Sequence, residues 1–432
     1  MCLLKKVVLT LVILSMCVFG ISQVKIEFWH AMGAQLGETL NSLVETFNKE
    51  NPDIQVIPIY VGNYSALNQK LLSTITAYSQ GSKTDLPAIS QAYANWTAKY
   101  LFSGVVEPLN GYIENDPEMK DAWDNQVFPV LKEIVTWGET VYGIPFNKSV
   151  YTYYYNTDLF DLFGLEPPKT IEELWSVSET LTLDIDFDGT IDIYGLGVRN
   201  FIDDLQIFLY AHNVTFLEYV GEGKYKIILD EQKTKEVLKL IKDLKDSGYA
   251  FFQNAHLDQP FGAGEIAAYM GTVAGLTYAE QSSRGKHGVS WAPLPSVDGV
   301  PRSPIAGTDL VMFSWVTQEQ KDAAWRFLKF LVDPVNVVYW SINTGYVPIR
   351  RDVVNVAQWK AYTANDVKPT IALNELETAI PDPKPAAWDE IRSNISTLFA
   401  NFLNDFATID ETYDSIVNVM ETLLTETGEL AQ

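Results

Sequence analysis

Apolar and polar residues alternate along Val24-Lys25-Ile26-Glu27-Phe28-Trp29, a period of two that predicts a β-strand. The spacing then changes. Leu36, Leu40, Leu43, Val44 and Phe47 fall on one face of a helix, which Asn51-Pro52 stops. A second strand is predicted over Ile54–Tyr60, and strand, helix, strand is the unit of a parallel sheet covered by helices. The pattern recurs as a helix over Ala66–Tyr78, a short strand at Ala88–Ile89, and helical runs over Trp96–Phe102 and Trp123–Glu133. Val141–Phe146 reads as an extended segment leading into a buried strand, Tyr151–Asn156. Further on, Thr170 and Glu173 form a capping box at the head of an Ile171–Leu181 helix. Helices are predicted over Asp203–His212, Glu231–Asp246, Gly264–Met270 and Gln318–Leu331, a strand over 303–313, and a helical, acidic tail over 389–428. With no repeat or low-complexity linker in view, two lobes joined by short extended crossings are expected.

The first residues stand apart. Lys5 and Lys6 precede an apolar run, Val7–Phe19, and small residues at Gly20 and Ser22 mark a cleavage site, so residues 1–22 read as an export signal. Leu14-Ser15-Met16-Cys17 partly matches a lipobox, with Met16 where a small residue is expected, which leaves lipid anchoring at Cys17 as the lesser alternative. Both cysteines, Cys2 and Cys17, lie inside this segment. The mature chain therefore has no disulfide, thiol nucleophile or zinc thiolate to draw on. At about 410 residues it is long enough for two domains with packed cores. The full sequence has 31 basic and 55 acidic residues, and losing Lys5 and Lys6 makes the mature balance more negative still; such a chain would repel a phosphate backbone, which argues against nucleic acid as a partner.

Several motifs occur in a fixed order: Phe28-Trp29-His30-Ala31-Met32, Phe47-Asn48-Lys49-Glu50-Asn51-Pro52, Gly62-Asn63-Tyr64, Pro145-Phe146-Asn147, Tyr154-Tyr155-Asn156, Pro168-Lys169-Thr170 and Thr344-Gly345-Tyr346-Val347-Pro348-Ile349. In that order the chain resembles family 1 extracellular solute-binding proteins, and among them most the glycerol-3-phosphate-binding members. The resemblance implies an α/β, periplasmic-binding-protein-like (type II) fold of two lobes with discontinuous crossovers and a ligand cleft between them. It places lobe 1 at residues 23–143 with 304–345, and lobe 2 at 144–303 with 346–432. It also implies a periplasmic or extracellular monomer that hands a small polar solute to the membrane permease of an ABC importer.

A polar solute in such a cleft needs aromatic faces and a few fixed donors and acceptors. Tyr64, in a Gly-Asn-Tyr loop after a strand, fits that need, and the family's ligand tyrosine falls on it. The resemblance adds Tyr346, with cleft positions at Ser149, Gly307 and Thr308. Trp29 and His30 follow the first strand, where the cleft wall would begin, and Phe201 falls where relatives stack a tryptophan. Tyr93 is followed by Ala94, where the glycerol-3-phosphate binders carry a glutamate. Their phosphate-binding arginine falls roughly on Lys384, and Trp388 nearby offers a stacking ring, so glycerol phosphate, a glycerophosphodiester and a neutral saccharide all stay open.

Asp184, Asp186, Asp188, Thr190 and Asp192 occupy alternate positions of a loop with Gly189 at its sixth residue, the pattern of a calcium loop without its final glutamate. A structural calcium ion is expected there, and no cofactor is expected to be required. A secreted carbohydrate-active hydrolase is the rival reading. The adjacent acids Glu172-Glu173 and Asp203-Asp204 cannot both reach one bond from one element and read as solvated surface. No nucleophile elbow, zinc-protease or phosphate-loop motif is present, so a binder rather than an enzyme is expected.

Overall fold

The computed structural model describes residues 23–84 and 86–431, so the expected export signal and Cys17 lie outside the described residues. In chain order the first elements are β1 (Val24–His30), α1 (Ala34–Glu50), β2 (Ile54–Tyr60), α2 (Tyr64–Ser79), β3 (Ile89–Ala92) and α3 (Ala94–Leu101). A long strand, β4 (Ile144–Asn156), then leads to α4 (Ile171–Thr180), β5 (Leu196–Arg199), α5 (Ile202–Ala211) and α6 (Glu231–Asp246). Next come β6 (Ala250–Gln253), β7 (Ala268–Thr272), β8 (Val289–Ala292) and β9 (Ile305–Met312). The chain ends in helices: α7 (Gln318–Leu331), α8 (Pro334–Thr344), α9 (Lys368–Glu375), α10 (Trp388–Leu403) and α11 (Ile409–Glu426).

The strands run in the order β6-β5-β7-β4-β9-β3-β1-β2, with β8 also beside β4. β1 lies parallel to β2 and β3, the arrangement expected from the strand–helix–strand pattern. The sheet is two half-sheets that share β4. From Ile144 to Val150 this strand pairs antiparallel with β9, and from Tyr151 to Tyr155 it pairs with β7. β4 is apolar or uncharged along most of its length because it is covered on both faces, and its one charge, Lys148, is paired with Asp309 of β9 at 2.7 Å. Both side chains are almost completely inaccessible, so this ion pair sits inside the handover between the half-sheets.

The first half-sheet is packed on one face by Leu40, Phe47, Phe327 and Leu328, and on the other by Leu67, Leu71, Tyr100 and Phe313. The second is packed by Leu205, Phe208, Ile241, Trp388, Ile391 and Phe399. Val347, Ile349, Val353, Trp359 and Leu373 share a core with Val337 and Trp340, so this segment, expected in lobe 2, packs instead with the first-half helices that precede it. The chain joins the second core from Ala387 onward, after Ile380 has bonded alongside Ser303 and Ile305. Near the end of the chain, the Glu429 carboxylate accepts the free N–H groups of Ala386 (2.7 Å) and Ala387 (3.2 Å) at the head of α10.

Three expectations change. Gly264–Met270 is not a helix: Gly264 caps the short helix Asp258–Ala263 at φ +84°, and Ala268–Met270 enter β7. Ile266 to Met270 are apolar without a break because β7 is buried on both faces, a pattern that a buried helix shares. Trp123–Glu133 breaks before Pro129, which starts a new helix where its missing N–H has no cost. The acidic tail is two helices, separated at Asp405, whose φ is +62°.

Glu375, on α9, is 5% exposed and neither carboxylate oxygen has a hydrogen-bond partner. Burial pushes its pKa up to about 8. A carboxyl raised in the folded state stabilises below its unfolded value and loses that contribution as pH rises through about 8. Urea unfolding should therefore show stability falling between pH 5 and 8, with Glu375→Gln flattening the fall and gaining on the order of a few kcal/mol at alkaline pH.

Candidate ligand-binding site

Three tyrosines converge at the ends of elements of the first half. Tyr64 opens α2, whose N-cap Asn63 accepts the Ala66 N–H at 2.9 Å. Tyr93 links β3 to α3. Tyr346 follows α8 through Gly345, which turns the chain at φ +77°. The Tyr64 and Tyr93 rings are 5.2 Å apart, and burial, reinforced by the nearby Tyr346 and Tyr93, raises the pKa of the Tyr64 hydroxyl. Tyr346 stacks on Trp340 (5.9 Å, 4°), which stacks on Phe146 (4.9 Å, 26°), so its ring plane is fixed from below.

Beneath the tyrosines lies a buried polar floor. The Gln91 amide donates to Asn147 Oδ1 (2.9 Å) and Thr308 Oγ1 (3.0 Å), and Thr308 donates to the same Asn147 oxygen at 2.5 Å. Asn147 in turn donates to the Tyr64 hydroxyl at 3.2 Å. Each buried amide is satisfied by a neighbour, which fixes the whole group in one arrangement.

The second half contributes a charged cluster around Arg392 of α10. Its guanidinium donates to Asp203 at 2.8 Å and to Asp382 at 3.3 Å. Tyr151 donates to Asp203 (2.9 Å), and Gln206 and Trp388 donate to Asp382 (2.8 and 3.2 Å). Burial pushes Asp203 upward, but Arg392 and Arg199 outweigh it and hold the carboxyl at about 2. Tyr93 marks where the two walls meet. Burial, reinforced by Tyr346, pushes its hydroxyl pKa up, and Arg392, Asp203 and Asp382 are all close enough to act on it electrostatically. At the rim, Asp389 of α10 accepts from Asn95 (2.5 Å) and pairs with Lys99 (3.0 Å), both on α3.

Of the residues singled out in the sequence, Tyr64, Tyr93, Tyr346 and Thr308 belong to this assembly. Ser149 accepts the Ala274 N–H at 3.3 Å and ties β4 to the turn after β7. Gly307 lies beside Thr308 in β9, and half-buried Phe201 directly precedes α5. The others are engaged elsewhere. Trp29 is 1% exposed and donates to Glu27, with the Lys70 ammonium 3.9 Å from its ring. His30 is buried between Phe28 and Tyr60, accepts the Met32 N–H, and is lowered to about 4 by desolvation, so it stays neutral at pH 7. Lys384 donates to the carbonyls of Glu133 and Thr136 and lies 4.5 Å from the Trp137 ring, so it bolts two segments together and is not a free cation. Trp388 packs edge-on against Phe216 inside the core and supports Asp382 from behind.

Asp203 and Asp204, expected as solvated surface, are both in ion pairs, and Asp204 is completely buried beneath Arg199. Gln91, Asn147, Tyr151, Asp203, Gln206, Asp382 and Arg392 were not among the expected site residues. One signal was present: Asp203 and Gln206 sit three apart, on one face of an otherwise apolar helix. In the acidic loop, Asp184, Asp186 and Asp188 bring oxygens within 4.8 Å of one another, whereas Asp192 turns to the Ile185 N–H at 2.7 Å and Thr190 donates its own N–H to Asp188. An exposed groove of about 370 Å³ beside Glu166 and Lys169 lies at the head of α4 and includes none of the tyrosines or the Arg392 cluster.

Two lobes sharing crossing strands, with aromatic and polar groups facing each other between them, define a type II binding-protein fold. Residues 42–367 match the family of bacterial extracellular solute-binding proteins, and the chain belongs to that family. The sn-glycerol-3-phosphate-binding periplasmic protein UgpB of Pectobacterium atrosepticum is 28% identical over 378 residues, covering 83% of this chain and 80% of that one. The Salmonella typhimurium protein of the same name is 27% identical over 370 residues, covering 83% and 82%. Among solved structures, UgpB of Mycobacterium tuberculosis in complex with glycerophosphocholine superposes with a TM-score of 0.76 at 21% identity, covering 93% of this chain and 98% of that one. The sugar-binding protein MalE of Xanthomonas citri gives the same TM-score, 0.76, at 21% identity, again with 93% and 98% covered. Among the described residues, no helix is long and apolar enough to cross a membrane.

Gly307 tests how closely the floor depends on the crossing. Its φ is +96°, and an added Cβ would lie 1.8 Å from the Asn147 carbonyl oxygen. Gly307→Ala should lower stability by at least about 2 kcal/mol in urea unfolding.

Proposed function

We propose that this chain is the extracytoplasmic solute-binding component of an ABC importer, a monomer that captures a carbohydrate, glycerol phosphate or glycerophosphodiester by closing two lobes over it. One observation carries the reading: the tyrosine triad of one half faces the Arg392 cluster of the other. A solute touching both walls is bound fully only when they are together, so its binding energy shifts the hinge toward closure. The permease then reads the closed shape. Nothing in this sequence of events breaks a covalent bond. Asp203 and Asp382 are both held by Arg392, which suits fixed acceptors for hydroxyl groups better than an acid and base poised across a bond.

Tyr64→Ala with Tyr346→Ala removes two aromatic faces that are only partly buried, at the edge of the core. Calorimetric titration with a solute identified by thermal shift should show affinity falling by about 100-fold or more, with the circular dichroism spectrum unchanged. An unchanged affinity would remove the site. The rim contact has a smaller part. Lys99 and Asp389 are 30% and 40% exposed, so the pair contributes less than about 1 kcal/mol. Asp389→Ala should enlarge the unliganded protein in small-angle scattering and weaken binding by no more than about fivefold, an effect that fades in high salt.

A further inference from the structure

We propose that Asp203 and Asp382 are specificity-determining residues that cancel the charge of Arg392 and so select a neutral, polyhydroxylated solute over a phosphate-bearing one. The inference rests on the cleft being the solute site. Arg392 is the cation positioned to meet an anionic ligand, and it is engaged by Asp203 at 2.8 Å and by Asp382 at 3.3 Å. Arg199, the next cation, is held by Asp204 at 2.5 Å, and Lys99 is paired at the rim. Lys384, where a phosphate-binding cation was expected, is occupied by two backbone carbonyls.

Among the described residues around this wall, Asp203, Asp204 and Asp382 thus outnumber Arg199 and Arg392. Burial raises the Asp382 pKa while Arg392 opposes the rise. Even with a proton on Asp382 the cluster has no surplus positive charge. A phosphate dianion entering here would lose its hydration and meet no compensating field. A sugar or polyol meets what it needs: carboxylates that accept from hydroxyls, guanidinium and amide groups that donate to them, and tyrosine rings for its C–H faces. The carboxylates also hold the guanidinium in one orientation, so it is presented to a neutral ligand as a fixed donor.

The test compares the mature protein with Asp382→Asn and with Asp203→Asn/Asp382→Asn, using sn-glycerol 3-phosphate, inorganic phosphate and a panel of neutral mono- and disaccharides in calorimetric titration. Wild type should not bind either phosphate below about 1 mM. The double variant should gain affinity for sn-glycerol 3-phosphate by about tenfold or more, weakening with added salt. If the double variant does not fold, Asp382→Asn alone is read for a gain of at least about threefold. Micromolar binding of sn-glycerol 3-phosphate by wild type overturns the proposal, as does a folded variant that gains nothing. Failure of every neutral solute to bind wild type, with phosphate gained in the variant, leaves the charge filter standing and counts against the saccharide class alone. Loss of all binding in every form sinks both this filter and the solute-binding reading.

Discussion

The cleft depends on one strand serving two half-sheets. β4 gives up β9 and takes up β7 between Val150 and Tyr151, so the two walls of the site are covalently continuous along one extended segment. At that point the chain buries Lys148 against Asp309, with Gly307 in a left-handed bend that leaves no room for a Cβ beside the Asn147 carbonyl. A buried ion pair is a poor source of net stability, because desolvation offsets most of its attraction. Removing one partner is another matter, since it strands a charge in the core. The pair therefore acts mainly against slippage: any register of β9 that parts Lys148 from Asp309 is strongly disfavoured, and the Gln91-Asn147-Thr308 floor next to it inherits that register.

The two walls do different physical work. The first half offers rings held in place by other rings, from Phe146 through Trp340 to Tyr346, and contributes contact area at little conformational cost. The second half offers charge, and almost all of that charge is internally compensated. Rings dominate one wall and charge the other, and Tyr93 stands where both are within electrostatic reach. The proposed site draws on both walls, and its charged groups come from Asp203 on α5, Arg392 on α10 and Asp382 between them.

Local pattern made much of the fold readable. The parallel β1-α1-β2 unit followed from a switch of period, and the capping box at Thr170 and Glu173 is present as expected. Gly264–Met270 was misread because an apolar run without polar interruption does not reveal whether its period is 2 or 3.6. The tyrosine side of the candidate site was legible because Tyr64 and Tyr346 stand in glycine-bearing loops. The other side was not. Arg392 and Asp203 are 189 residues apart, and nothing local marks a single arginine in an amphipathic helix as a cleft residue. Gln91 and Asn147 were hidden for the opposite reason: they lie within buried strands, where a polar residue looks like an interruption of a core. Lys384 and Trp388 carry chemistry that suits a ligand, while the fold gives the first to two backbone carbonyls and sets the second in the core, from where it donates to Asp382.

Glu429 places the helix of Arg392 under the control of the chain's last residues. Its carboxylate does for α10 what a serine or aspartate at the helix start ordinarily does, but from 42 to 43 residues downstream. The terminal strip also bonds to Tyr225, so it works as a clasp joining the small Leu217–Ile227 hairpin to the recognition helix. For anyone engineering a sensor from this scaffold, the carboxyl end is accordingly the wrong place to attach a reporter domain. A load there would act on the carboxylate that caps α10, the helix that carries Arg392.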